Sequence, residues 1–318
     1  MSQVLISVCV LTCNQSAYIE ACLQSILAQA TDVSLEVLVG DDASDDETSQ
    51  IVSGFVQKYP AMIKHFRHEV RLGASRNYQA ILAHVSGEYV AHLDGDDYWL
   101  PGKLKKQVEF LEAHSECSAV YCNARTVSED GAAIGLFNDV GNAQFSLSDM
   151  LSRGNFLNTS SMVFRASLCD AIIQIEDAFI DFRIHLRHAR RGVLAHMADA
   201  MVGYRVNASG SMMANSNALV RQLYWEAILD GIGAGVSDEL ASRALADFTR
   251  RVFFRSLRFG QWSLMREWMP RIRERVPYSG GRFFLLVMAS IVRTVIRELY
   301  GRASSLIGEG RPAVLYRR

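Results

Sequence analysis

The chain has 318 residues, 49% of them hydrophobic and 21% charged, with only 5 prolines. These values exclude wholesale disorder, a collagen-like repeat and a coiled coil, and they leave room for a core that needs no disulfide staples. The net charge of -1 conceals a division: from Ala241 onward there are 16 arginines, no lysine and 5 acidic residues, a balance of +11 against -12 for the preceding part.

The first residues, MSQVLISVCVLTCN, have no basic stretch before their apolar run and read as a buried strand rather than a signal peptide. Six cysteines, at 9, 13, 22, 117, 122 and 169, form no CxxC pair and are expected reduced, in the cytoplasm. VLISVCVLT is a strand covered on both faces, and AYIEACLQSILAQ has helical spacing. LEVLVGDD is a second strand ending in two carboxylates, followed by the helical ETSQIVSGFVQKY, a short segment around IKHF, a helix over ASRNYQAILAHV and the strand EYVAHLD. This alternation predicts an α/β fold with a mostly parallel central sheet and helices on both faces.

Pro101 opens a helix through GKLKKQVEFLEAH, and CSAVYCN is a further strand. Residues 126–158 weaken into Gly, Asn, Asp and Ser, predicting hairpins and loops beside a site. TSSMVFRASL, GVLAHM and MVGYR read as strands and FRIHLRHARR as a helix; the polar NASGSMMANSN is the expected boundary between a first domain, 1–210, and an arginine-rich helical domain, 211–318. Four helices are expected beyond it. The longest late apolar stretch, FFLLVMASIV, is about half of what a membrane span needs.

Ligands of open α/β sheets bind outside the carboxyl ends of strands, where this sequence places Asp41 and Asp42 after one strand and Asp94, Asp96 and Asp97 after another. Carboxylates gathered in one cleft repel each other unless a cation with its phosphates lies among them. In Asp94-Gly95-Asp96, alternate side chains can turn toward one hard cation, Mg2+ or Mn2+, whose shell is completed by phosphate oxygens and water. Asp41 can accept hydrogen bonds from a base or ribose, or cap a helix that begins near Asp45 or Asp46. Neither GxGxxG nor GxxxxGK[ST] occurs in the expected places, and the histidines and cysteines have no zinc-ligand spacing.

VCVLTCN at 8–14, VLVGDDASDDET at 37–48, RLGASRN at 71–77 and GEYVAHLDGDDYWLPGKLKKQVEFL at 87–111 resemble the family 2 glycosyltransferases, inverting nucleotide-sugar enzymes with a GT-A fold. The resemblance covers about residues 4–210. It implies a nucleoside held near Thr12, Asn14, Asp41 and Asp42, Arg76 near the diphosphate, and Asp94, Gly95 and Asp96 as the DxD segment that engages ribose, diphosphate and Mn2+ or Mg2+, with the metal chiefly on Asp96. Arg71 stands where family members often have Asn. In IEDAFIDFRIHLRHARRG, Asp181 matches best the aspartate expected to act as catalytic base, with Asp177 of the ED pair as the alternative. Asn207 stands where relatives often carry a histidine, which leaves it a diphosphate contact, direct or indirect.

The implied activity is metal-dependent sugar transfer from a nucleotide-sugar donor to a hydroxyl of a glycan or lipid-linked glycan, in bacterial surface polysaccharide, lipopolysaccharide or glycolipid synthesis. Nucleotidyl transfer and non-catalytic glycan binding are the alternatives. The arginine-rich end suits an anionic membrane surface, on the inner face of the cell membrane, or packing within the chain or in a homo-oligomer. No zinc finger, helix-turn-helix or RNA-binding signature points to nucleic acid.

Overall fold

The computed structural model describes residues 5–30, 33–206, 217–307 and 313–316. Strand β1 (Leu5–Thr12) leads into helix α1 (Ile19–Leu27), whose Ile19, Cys22, Leu23 and Ile26 recur three and four apart and are buried. There follow β2 (Ser34–Asp41), α2 (Thr48–Lys58), β3 (Ile63–Arg67), α3 (Ala74–Leu82), β4 (Tyr89–Asp94), the short β5 (Tyr98–Trp99) and α4 (Lys103–Ala113). β3, β2, β1 and β4 lie side by side in parallel, as the alternation of strand and helix predicts. Alternate residues of each strand serve opposite faces: Val8 and Val10 join one core cluster and Cys9 the other, and Val37 and Leu38 divide in the same way.

The rest of the sheet is mixed. β6 (Cys117–Val127) extends the strand expected at CSAVYCN, and β7 (Ala133–Asn138), β8 (Ala143–Phe145) and α5 (Leu147–Arg153) fill the stretch where the sequence pattern weakened. α5 opens on a capping box in which Ser146 and Asp149 satisfy each other's backbone N–H groups. A 3₁₀ turn at Thr159–Ser161 precedes β9 (Val163–Arg165), which pairs antiparallel with both β4 and β6. After α6 (Cys169–Ile173) and α7 (Asp181–Ala189), one strand, β10 (Val193–Arg205), runs parallel to β6 through two bulged steps beyond Met197. The sequence divides this element into two short strands because those irregular steps break its alternation.

Beyond residue 216 four helices appear, α8 (Asn217–Gly231), α9 (Asp238–Phe259), α10 (Ser263–Arg275) and α11 (Gly280–Ile307). α9 starts on the Ser237 hydroxyl and stops at Gly260, whose φ of +65° a side chain would resist. Trp225 of α8, Phe248 of α9 and Trp268 of α10 pack ring against ring, and the same core cluster takes in Phe182 and Leu186 of α7. Arg187 of α7 forms a two-pronged pair with Asp230 of α8 at 2.8 and 3.0 Å. The region is not wholly helical: β11 (Ala313–Tyr316) pairs parallel with β7. Its four-residue apolar run is too short for periodicity to signal, and only the sheet edge makes it a strand. No helix among the described residues is long and apolar enough to cross a membrane.

Candidate active site

The parallel strands bring their last residues to one rim, where Thr12 stands opposite Asp41, and Leu11 opposite Asp94. Asp41 is fully buried, with Oδ1 accepting from the Ser44 N–H at 2.9 Å, Oδ2 accepting from the Ser49 hydroxyl, and His65 Nε2 3.3 Å from Oδ2. Burial alone would raise this carboxyl; the donors outweigh it and hold it well below the usual carboxylate range. Asp42 accepts from the N–H groups of Leu72 at 2.6 Å and Gly73 at 2.9 Å, fastening the 71–73 segment to the strand end. Asn14, at a φ of 54°, accepts from the Asp45 N–H at 2.9 Å and donates its own N–H to Ser44 at 3.0 Å. Asp41, Asp42 and Asn14 therefore shape the loops around the rim through bonds to the protein itself.

Thr12 Oγ1 and Gln15 Oε1 are buried without a hydrogen-bond partner. Gly95 closes over both: a Cβ there would lie 3.0 Å from Thr12 Oγ1 and collide with the Gln15 amide oxygen. Unsatisfied buried oxygens are uncommon, and these two adjoin the Asp94–Asp96 segment.

Asp94 has a side chain 42% accessible, with Oδ1 3.1 Å from His92 Nε2 and Oδ2 accepting from Ser160 at 3.2 Å. Against the effect of burial, the His92 imidazole and the Ser160 hydroxyl lower its carboxyl. Asp96 behaves oppositely: burial and then the Asp94 charge push it up to about 6, against the pull of Arg205. Asp97 is buried, its carboxyl raised by burial and by Asp96 and Asp94, while Ser160 donates to it at 2.6 Å and the Arg205 N–H at 2.8 Å. The Arg205 guanidinium donates to the Asp96 carbonyl and stacks 4.5 Å from the Tyr18 ring.

Asp181 opens α7, accepting from Asn155 Nδ2 at 3.0 Å, Thr159 Oγ1 at 3.0 Å and the Phe182 N–H at 2.7 Å. Thr159 and Ser160 are consecutive, so one 3₁₀ turn holds Asp181 with one hydroxyl and Asp94 and Asp97 with the next. Asp177 is exposed on the loop before α7, and its carboxylate makes no hydrogen bond among the described residues. Arg76 is exposed on α3 and donates to the Glu176 carbonyl at 3.2 Å. Asn207 lies outside the described residues.

His92, Asn155, Thr159, Ser160 and Arg205 are partners that the sequence reading did not single out. The polar run NTSS at 158–161, between a loop and a strand, was the available signal. An open groove of about 700 Å³, lined in part by Ser44, Asp46, Ser49 and Arg67, runs along α2 and contains none of Thr12, Asp94, Asp96 or Asp181.

Among the described residues no three His, Cys, Asp or Glu side chains converge as a ready cation site. Asp94 and Asp96 suit Mn2+ or Mg2+ on the condition that phosphate oxygens and water fill the remaining positions, which is the usual habit of Mg2+. Burial and, after it, the Asp94 charge disfavour an ionised Asp96, and a cation there would offset both.

The family model described as glycosyl transferase family 2 matches residues 7–168, half of the chain. An uncharacterised protein of Mycobacterium tuberculosis is 33% identical over 222 residues, covering 70% of this chain and 64% of that protein; the chain thus spans somewhat less than two thirds of that relative. The Escherichia coli protein WfaP, named as a UDP-Glc:alpha-D-GlcNAc-diphosphoundecaprenol beta-1,3-glucosyltransferase, is 27% identical over 69% of this chain and 84% of its own length. Among solved structures, S. aureus TarS 1-349 in complex with UDP-GlcNAc superposes with a TM-score of 0.67 at 23% identity, covering 89% of this chain and 84% of that one, a likeness of fold. With its GT-A-like sheet and with the family model running through all three of the strand ends that carry Thr12, Asp41 and Asp94, the chain belongs to the family 2 glycosyltransferases.

Proposed function

We propose that the chain moves a sugar from a nucleotide-sugar donor to a hydroxyl of a glycan or lipid-linked glycan, with inversion at the anomeric carbon, during bacterial surface glycan synthesis. The observation that carries this reading is the Thr159–Ser160 pair, which joins the proposed base, Asp181, to the carboxylates proposed for the diphosphate end of the donor. The WfaP name, with its diphosphoundecaprenol acceptor, and the UDP-GlcNAc bound by TarS support the substrate classes. The chain would act in the cytoplasm, at the inner face of the membrane where such an acceptor is presented.

Inverting transfer needs an acceptor hydroxyl to attack the anomeric carbon opposite the departing nucleoside diphosphate. Asp181 takes the hydroxyl proton as the new glycosidic bond forms, its orientation set by Asn155 and Thr159. Thr12, Asn14, Asp41 and Asp42 shape the nucleoside end, with Gly95 allowing close approach; Arg76 and Asn207 are assigned to the diphosphate. Mn2+ or Mg2+ on Asp96 and Asp94 would neutralise charge developing on the leaving diphosphate. In this scheme residues 1–210 carry the reaction, and 211–318 support α7 and the acceptor side.

The test is a comparison of two substitutions. Asp181→Asn keeps the shape and removes the proton acceptor, so transfer should fall by about 10² to 10⁴-fold while donor binding by calorimetry persists. Asp177→Asn should stay close to wild type. The reverse result moves the base to Asp177.

A further inference from the structure

Helix α11 carries two apolar faces, and only one is covered. Phe283 and Ser290 are buried on one side, where Leu286 and Val287 pack on the core. On the other side Leu285, Val292 and Leu299 recur every seven residues with Met288, Val295 and Ile296 among them, and all six are 39–68% exposed. At about 100° and 1.5 Å per residue they occupy an arc of roughly 100° and extend about 21 Å, with no described polar side chain inside the arc. On one side of the arc Ala289, Arg282 and Arg293 come next around the helix; on the other the exposed Phe284 and then Ile291 continue it before Glu298. A solvated helix turns polar residues outward, so an exposed apolar stripe of this kind marks a contact surface.

The charge of the region selects the occupant. Arg282 and Arg293 on α11, and Arg258, Arg266, Arg273 and Arg275 on α9 and α10, are exposed and belong to no ion pair among the described residues; the exposed acidic residues of these three helices after Ala241 are Glu267, Glu274 and Glu298. From Ala241 onward 16 arginines face only 5 acidic residues, so a second copy laid on this face would oppose like charges. An anionic lipid surface would neutralise them. We propose that α11 lies in the plane of an anionic membrane, its Leu285–Leu299 arc sunk at the acyl boundary and its flanking arginines at the headgroups. The inference rests on the proposed function only for its purpose, delivery of the enzyme to a lipid-linked acceptor; its physical basis is the helix itself.

Flotation of the full chain with phosphatidylcholine vesicles, with and without phosphatidylglycerol, tests it. The wild type should float with the anionic vesicles at low salt, bind neutral ones more weakly, and be released as salt approaches about 0.5 M. Leu285→Ser, Val292→Ser and Leu299→Ser together should weaken binding by about tenfold or more with unchanged circular dichroism, since these side chains are already in water in the free protein. Arg282→Gln with Arg293→Gln should weaken binding to anionic vesicles while leaving binding to neutral ones in place. A wild type that stays in the supernatant at low salt, or a triple variant that floats as well as it does, overturns the proposal. So does a wild-type dimer split by the same three substitutions, which would give the face to a second copy. Donor turnover with a soluble acceptor is read in the same preparations: vesicle binding without turnover counts against the proposed reaction and leaves the membrane face standing.

Discussion

Asp96 is a side chain whose surroundings disfavour its charged form. Burial and the neighbouring Asp94 raise its carboxyl to about 6, so in the free protein it keeps its proton to higher pH than an ordinary aspartate. An acid raised in this way is protonated when folded and ionised when unfolded between about pH 4 and 6, so its contribution to stability falls as pH rises through that window and stays low above it. Asp96→Asn should therefore unfold no more easily than wild type at pH 7.5, and be more stable by on the order of 1 kcal/mol. Its turnover should drop by about 10²-fold or more, because charge stabilisation at the leaving group is lost. Thermal melts and donor-dependent turnover with and without EDTA check both halves; full activity in EDTA removes the cation from the scheme.

The element that carries Asp181 has its own pH dependence. His185 and His188, one and two turns further along α7, are buried, and burial lowers them to about 4 and about 3. They are neutral in the folded chain and take up protons on unfolding below about pH 6.5, so the stability they contribute is complete above that value and is lost as pH falls toward 4. Urea titrations should give an unfolding free energy about 2 kcal/mol lower at pH 5.5 than at pH 7. His188, with its ring 4.5 Å from Phe164, sits among apolar groups, and His188→Leu should remove about half of that slope. An identical slope in variant and wild type would place the acid sensitivity elsewhere.

Over the whole molecule, the helices beyond residue 216 act as the bed on which α7 rests. Phe182 stacks on Tyr224 at 4.7 Å, next to the Trp225, Phe248 and Trp268 cluster, and the Arg187–Asp230 pair clasps α7 to α8. Trp268 is only 2% exposed, so Trp268→Ala should cost about 3–5 kcal/mol, and the lost support under α7 should reduce transfer as well. Calorimetry should show one transition moved to lower temperature. Two transitions, with only one displaced, would make the arginine-rich part a folding unit of its own.

The parallel half of the sheet and the carboxylates at its strand ends were legible in the sequence, because strand and helix periodicities are local and a parallel sheet puts every strand end on one rim. Asp41, Asp94 and Asp96 could be picked out on that ground, as could the four helices after residue 216. The partners of those carboxylates could not. Thr159, Ser160 and Arg205 are ordinary residues in their own segments, and they meet Asp94, Asp96, Asp97 and Asp181 only because β9 returns antiparallel beside β4 and β10 lies against β5 and β6; His92 is the local exception, two residues from Asp94 on the same strand. β11 is likewise a strand only because β7 offers it an edge. Local pattern alone determined which elements form and where the charges fall along the chain. Tertiary structure decided which charges are buried, which hydroxyls hold them, and which apolar face of α11 is left uncovered, since each of these depends on contacts between residues distant in sequence.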